Sequence, residues 1–142
     1  MELLQNHLLI NALIAWVAAQ IIKAVIYLVV NRTFDIHRLL GDGGMPSGHS
    51  ATVTALAVTA AIEYGLSSSC FAISLVLAVI VMHDAMGVRR EAGKHAKALN
   101  ELLNVWNSDA AAELKMKELL GHTPLQVGFG ALLGLVVALL LG

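Results

Sequence analysis

Apolar residues in this chain fall in four blocks separated by polar connections. Leu8–Val30 is about 23 residues, roughly 34 Å as a helix, enough to cross the hydrocarbon core of a bilayer. Ser50–Tyr64 is shorter and rich in Ala, Val and Thr, and needs His49 and Gly65 to reach both interfaces. Ser69–Met82 is strongly apolar, and Ser67–Ala85 has the length of a span. Leu125–Leu141 closes the chain. The blocks predict spans near 8–30, 49–65, 67–85 and 124–141. The connection 88–121 has a different pattern. Leu99, Leu102, Leu103 and Trp106 share one helical stripe. Ser108 or Asp109 can cap a second piece running to Leu120, with Gly121 as its stop. These pieces either lie in the membrane interface, cover a site as a lid, or pack on the bundle as an amphipathic connector. The fold class that follows is all-α: an integral membrane helical bundle of about four transmembrane helices plus a cytoplasmic or interfacial helical hairpin, in one domain over 1–142.

Composition agrees with the pattern. The chain is 58% hydrophobic and 13% charged, with mean hydropathy +0.76, which sets it apart from soluble domains of 142 residues. The first apolar block lacks a basic leader, is too long for a secretory signal, and contains Lys23. The lone Cys70 allows no internal disulfide, and a net charge of -1 gives no support for nucleic-acid binding. Charge placement predicts topology. Eight of the nine basic side chains lie on two connections: Arg32 and Arg38 after the first span, and Arg89, Arg90, Lys94, Lys97, Lys115 and Lys117 after the third. The positive-inside rule puts both connections in the cytoplasm and both termini outside, in a plasma (inner) membrane.

The candidate chemistry gathers on that cytoplasmic side. Gly43-Gly44-Met45-Pro46-Ser47-Gly48-His49-Ser50 is a Gly-rich turn that opens an apolar helix. A helix N-terminus offers unpaired N–H groups and the positive end of the macrodipole, so it attracts anions. Ser47 adds a hydroxyl donor, Gly48 permits close backbone approach, and His49 can donate a proton. Gly121-His122-Thr123-Pro124 repeats the arrangement at the last span. One His can serve as nucleophile on phosphorus and the other as the acid for the leaving group. Arg89 and Arg90 suit phosphate oxygens through bidentate guanidinium bonds, or else anchor the chain at lipid headgroups. Lys23, about seven residues before its span ends, either snorkels or faces a polar site. Asp84 ends the third span beside His83, which is read as structural. Glu91 and His95 share a helical face without a third metal ligand, and His7 and His37 have no evident partners.

Three blocks carry a family resemblance: Gly44-Met45-Pro46-Ser47-Gly48-His49-Ser50-Ala51, Asp84-Ala85-Met86-Gly87-Val88-Arg89-Arg90 and Gly121-His122-Thr123-Pro124. In order, and over nearly the whole chain, they resemble the divergent branch of the type-2 phosphatidic acid phosphatases, also described as acid phosphatase/vanadium-dependent haloperoxidase-related. The resemblance implies a helical bundle around a phosphate pocket and hydrolysis of a membrane lipid phosphate through a phosphohistidine, without a metal or cofactor. It implies His122 as nucleophile and His49 as general acid. It implies Lys23, Arg32, Ser47, Gly48, Arg89 and Arg90 as phosphate ligands, and vanadate as an inhibitor that mimics phosphate. The match is uneven. The family's Asp three residues after the nucleophilic His is Gln126 here, which can orient His122 by accepting a hydrogen bond, while Asp84 can supply the negative charge from another helix. Arg89 and Arg90 lie some thirty residues upstream of His122 instead of six, and Lys23 and Arg32 are spaced more widely than in the family. A non-catalytic phosphate-headgroup binder or lipid transporter is the competing function, and haloperoxidase chemistry ranks below both. Gly130 and Gly134 form a small-xxx-small step that fits either a homodimer or an internal helix contact.

Overall fold

The structure is a computed structural model that describes residues 5–32, 44–106, 116 and 121–142. It is all-helical over those residues. The elements are α1 (His7–Asn31), α2 (Gly48–Tyr64), α3 (Ser69–Met86), α4 (Val88–Trp106) and α5 (Pro124–Leu141). Each apolar block of the sequence is one helix. Polar caps set the starts: the side chains of Asn6, Ser47, Ser68 and Thr123 accept N–H groups from the first turns of α1, α2, α3 and α5. Arg32 ends α1 with φ 54°, and Gly65 ends α2 with φ 80°.

Helix α2 is the centre of the bundle and packs against α1, α3 and α5. Its contacts are made by small side chains. Ala15 and Ala19 of α1 meet Ala51 and Ala55 of α2, with Val137 of α5 closing the cluster. Val53 and Ala57 meet Ala78 of α3 on another side. In lipid there is little hydrophobic gain from bringing helices together, so close van der Waals approach has to hold them, and small residues permit it. The four spans expected from the sequence resolve into two kinds. Helices α1, α5 and the stretch beginning with α3 are long and apolar enough to cross a membrane. Helix α2, of 17 residues, is shorter and is enclosed by the others.

Polar contacts fix how the helices run. His7 Nδ1 lies 2.8 Å from Glu63 Oε1, and Asn11 donates to Thr59 Oγ1 at 3.1 Å, so the start of α1 sits beside the end of α2. At the opposite end, Ser47 N–H donates to the Gln126 carbonyl at 3.1 Å, and His122 N–H donates to the Ala85 carbonyl at 2.9 Å. Helices α2 and α5 therefore start together, where α3 finishes. Gly130 and Gly134 face α2: a Cβ at Gly130 would collide with the Ser47 carbonyl, and one at Gly134 with the Ala51 carbonyl. The small-residue step is used inside one chain, which leaves this face no room for a second copy.

The connection after α3 turns at Gly87 into α4. Ala96 and Asn100 are buried on α4, while Leu99 and Leu102 are exposed. The leucine stripe thus exists but is not the buried face. Asn100 explains the rotation. Its side-chain amide donates to the Met116 carbonyl at 2.8 Å and accepts the Met116 N–H at 2.9 Å, so the returning chain docks on the small, polar face. The expected second helix, Ser108–Leu120, lies outside the described residues apart from Met116.

Candidate phosphate site

The site forms where the N-termini of α2 and α5 meet. Ser47 caps α2: its Oγ accepts the Ser50 N–H at 3.3 Å and the Ser50 hydroxyl at 3.0 Å. Ser47 and Ser50 are both fully buried. Thr123 caps α5 through a reciprocal box, in which Gln126 N–H donates to Thr123 Oγ1 and Thr123 N–H donates to Gln126 Oε1 at 2.9 Å. Two macrodipoles consequently point their positive ends at one place.

His49 and His122 stand on these two mouths. Their ring centroids are 6.0 Å apart and the planes meet at 73°, edge to face. The His122 side chain is buried, at 3% exposure, and His49 is half-buried. Two imidazoles at this distance can act on the same substrate group, one on phosphorus and one on a leaving oxygen. The sequence alone places them 73 residues apart; the fold brings them together by parallel packing of α2 and α5.

The α3–α4 junction forms the next wall. Gly121 has φ +81°, and a Cβ there would strike the Arg90 backbone. That close approach seats His122 against the residues that follow Asp84. Arg89 Nε donates to Asp84 Oδ2 at 2.8 Å, both side chains being partly exposed. Arg90 is exposed on the first turn of α4. Two of the expected site residues also have local partners. The sequence assigns Gln126 Oε1 to His122, and in the structure that oxygen serves the cap. It assigns Asp84 to support an imidazolium, and in the structure Asp84 pairs with Arg89. His83 and His95 are exposed, and His37 lies outside the described residues.

Lys23 reaches the same end by register. Asn11, Ala15, Ala19 and Lys23 form one buried i,i+4 stripe on α1, and Asn11 and the two alanines lie along α2. Lys23 is 7% exposed, and a Cβ at Gly44 would lie 3.2 Å from its Cγ. A cavity of about 160 Å³ beside it is also lined by Tyr27, Asn31, Gly44 and Met45. Gly44, with φ +96°, and the cis Met45–Pro46 peptide carry the chain over this cavity into α2. Arg32 is exposed at the end of α1. Sequence reasoning missed Ser50 as the partner of Ser47. The Ser-x-x-Ser spacing of an N-cap was the available signal.

Comparison with known proteins decides the family. The profile of the divergent PAP2 family matches residues 4–137. The chain belongs to the divergent PAP2 family. The uncharacterized membrane protein YuiD of Bacillus subtilis (strain 168) is 44% identical over 153 residues, covering 99% of this chain and 97% of YuiD. No solved structure matches. As a divergent PAP2 protein with membrane-length apolar helices, it is an integral membrane protein related to phosphatases.

Proposed function

We propose that this divergent PAP2 protein is a lipid phosphate phosphatase that works through a phosphohistidine. The observation that carries the reading is the pair of imidazoles at the shared mouth of two parallel helices. In the proposed cycle a His122 nitrogen attacks phosphorus, the bond to the lipid oxygen breaks, and His49 gives that oxygen a proton. Water then attacks phosphorus and the phosphorus–nitrogen bond breaks while His49 takes a proton from the water, releasing phosphate and restoring both rings. The N-terminal N–H groups of α2, with Ser47 and Gly48, and the cations Lys23, Arg89 and Arg90 hold the charged oxygens. Arg32 is assigned to the outer edge. The route needs no metal, and vanadate is the expected phosphate-mimic inhibitor. The basic connections put this end in the cytoplasm and the termini outside.

A second reading has its own support. Asp84 is paired with Arg89, and Gln126, where the family has an Asp, is neutral and takes part in a cap. A site that holds phosphate but stabilises an imidazolium weakly would bind headgroups without turnover. Phosphate release from phosphatidic acid by the purified protein, with and without EDTA, separates the readings. Release that survives EDTA is expected, and tight binding without release supports the binder. His122→Ala should abolish turnover of every substrate and remove the acid-labile phosphoryl group trapped on the parent. His49→Ala should slow alkyl phosphates by about 10²–10⁴-fold and an activated aryl phosphate much less. A phosphorylated His122→Ala protein would reverse the two roles.

A further inference from the structure

Beneath the Met45–Pro46 turn, between α1 and α5, lies an apolar slot of about 390 Å³. That is within the usual size of small-molecule sites. Ile22 and Ile26 form one wall, Phe129, Leu132 and Val136 the other, and Pro46 forms part of the roof. All five wall residues are more than a third exposed, so in a bilayer the slot opens sideways into hydrocarbon. From Phe129 to Val136 it follows α5 for about 10 Å away from the site end.

The slot adjoins the phosphate site in two ways. Its roof, Pro46, directly precedes Ser47, whose N–H is tied to the Gln126 carbonyl where α5 begins. Ile26 and Met45 also line the smaller cavity that contains Lys23. Polarity therefore changes along adjoining surfaces, from bare hydrocarbon, across Met45, to the buried Lys23 side chain. A ligand matching that gradient has an apolar tail and an anionic head. A transmembrane helix of a second copy matches it less well, since α1 and α5 carry no acidic side chain to meet Lys23.

We propose that this slot holds a hydrocarbon tail of the substrate while its phosphate sits at His49 and His122, so that substrates are membrane lipids that enter sideways from the bilayer. The proposal rests on the lipid phosphate reading above and adds the place where the tail is recognised. A tail leaving bilayer hydrocarbon gains little hydrophobic energy, so preference for the slot comes from van der Waals fit along it together with the anionic head held at the site.

The test uses the full-length protein in phosphatidylcholine nanodiscs. Phosphatidic acid with a diazirine in its acyl chain is added, irradiated, and its cross-links are mapped. Cross-links are expected at Ile22–Ile26 and Phe129–Val136, several-fold stronger than those from phosphatidylcholine with the same diazirine, and suppressed by unlabelled phosphatidic acid. Equal labelling by both lipids would mean surrounding bilayer lipid only, and would overturn the proposal, as would selective labelling elsewhere. Selective labelling of the slot by a protein with no turnover would keep the slot and end the phosphatase reading. Turnover of phosphatidic acid with unselective labelling would do the reverse. A variant adds a kinetic check. Val136→Phe should lower the kcat/KM ratio of long-chain phosphatidic acid to glycerol 3-phosphate at least tenfold, and an unchanged ratio counts against the slot.

Discussion

Gly121 shows how a single residue can govern the site without touching substrate. Its φ of +81° is left-handed, and its Cα approaches the Arg90 backbone too closely for a Cβ. Gly65 has a similar φ of +80° but open space around it. Gly65→Ala should cost about 1–3 kcal/mol from backbone strain alone. Gly121→Ala adds steric overlap and should cost about 2–3 kcal/mol more. Thermal unfolding in detergent measures the difference. Only Gly121→Ala should also reduce phosphate turnover, because it displaces His122. Equal loss of turnover in both variants would show that the packing of Gly121 has no special link to the site. His49 and His122 were legible in the sequence because each follows Gly and opens an apolar helix. The partners of Asp84 and Gln126 were not. Asp84 has an arginine five residues away and Gln126 a cap three residues back, and such local bonds compete with the longer-range roles that spacing suggests.

The helices themselves were legible because run length needs no knowledge of neighbours. The ends of α1, α2, α3 and α5 lie within two residues of the expected limits. What the runs could not disclose was which faces meet. Gly130 and Gly134 read equally well as a dimer seam or an internal one, and the Ser47 and Ala51 carbonyls decide for the internal contact. The leucine stripe of α4 left open whether that helix lies in the interface, covers a site or packs on the bundle, and the Asn100 amide, which binds Met116, marks a different face as the one that meets the chain. The α2–α5 contact also sets the distance between the two imidazoles. Gly134→Leu should therefore destabilise the bundle by about 3 kcal/mol or more. Gly128→Leu, with nothing near its Cβ position, should stay within about 0.5 kcal/mol of the parent. Comparable losses for both would mean that α5 tolerates bulk equally on either side.

At the scale of the whole molecule the polar ends differ. One carries the His pair, Arg89, Arg90, Lys94 and Lys97; the other carries His7, Glu63 and the short turn around Leu66. In a Cys70→Ala background, Ser67→Cys should react with an impermeant maleimide on intact cells, and Lys97→Cys only after permeabilisation. The opposite pattern would invert the topology. The length of α2 has a separate consequence. Its 17 residues extend about 25 Å, less than the roughly 30 Å hydrocarbon thickness of an ordinary bilayer. Helix α2 begins beside His49, so with its far end at the opposite interface a headgroup reaches the site when the leaflet dimples inward by a few ångströms. Membrane thinning costs a fraction of a kcal/mol per ångström, and a thin bilayer removes that cost. Turnover of phosphatidic acid should then be about fivefold faster in dimyristoyl than in dioleoyl phosphatidylcholine vesicles compared at one temperature above both melting points. Equal rates would mean that the site meets the headgroups without deforming the leaflet. With the dimple, the thickness of the host membrane becomes a regulator of the protein, set by acyl composition and independent of any ligand.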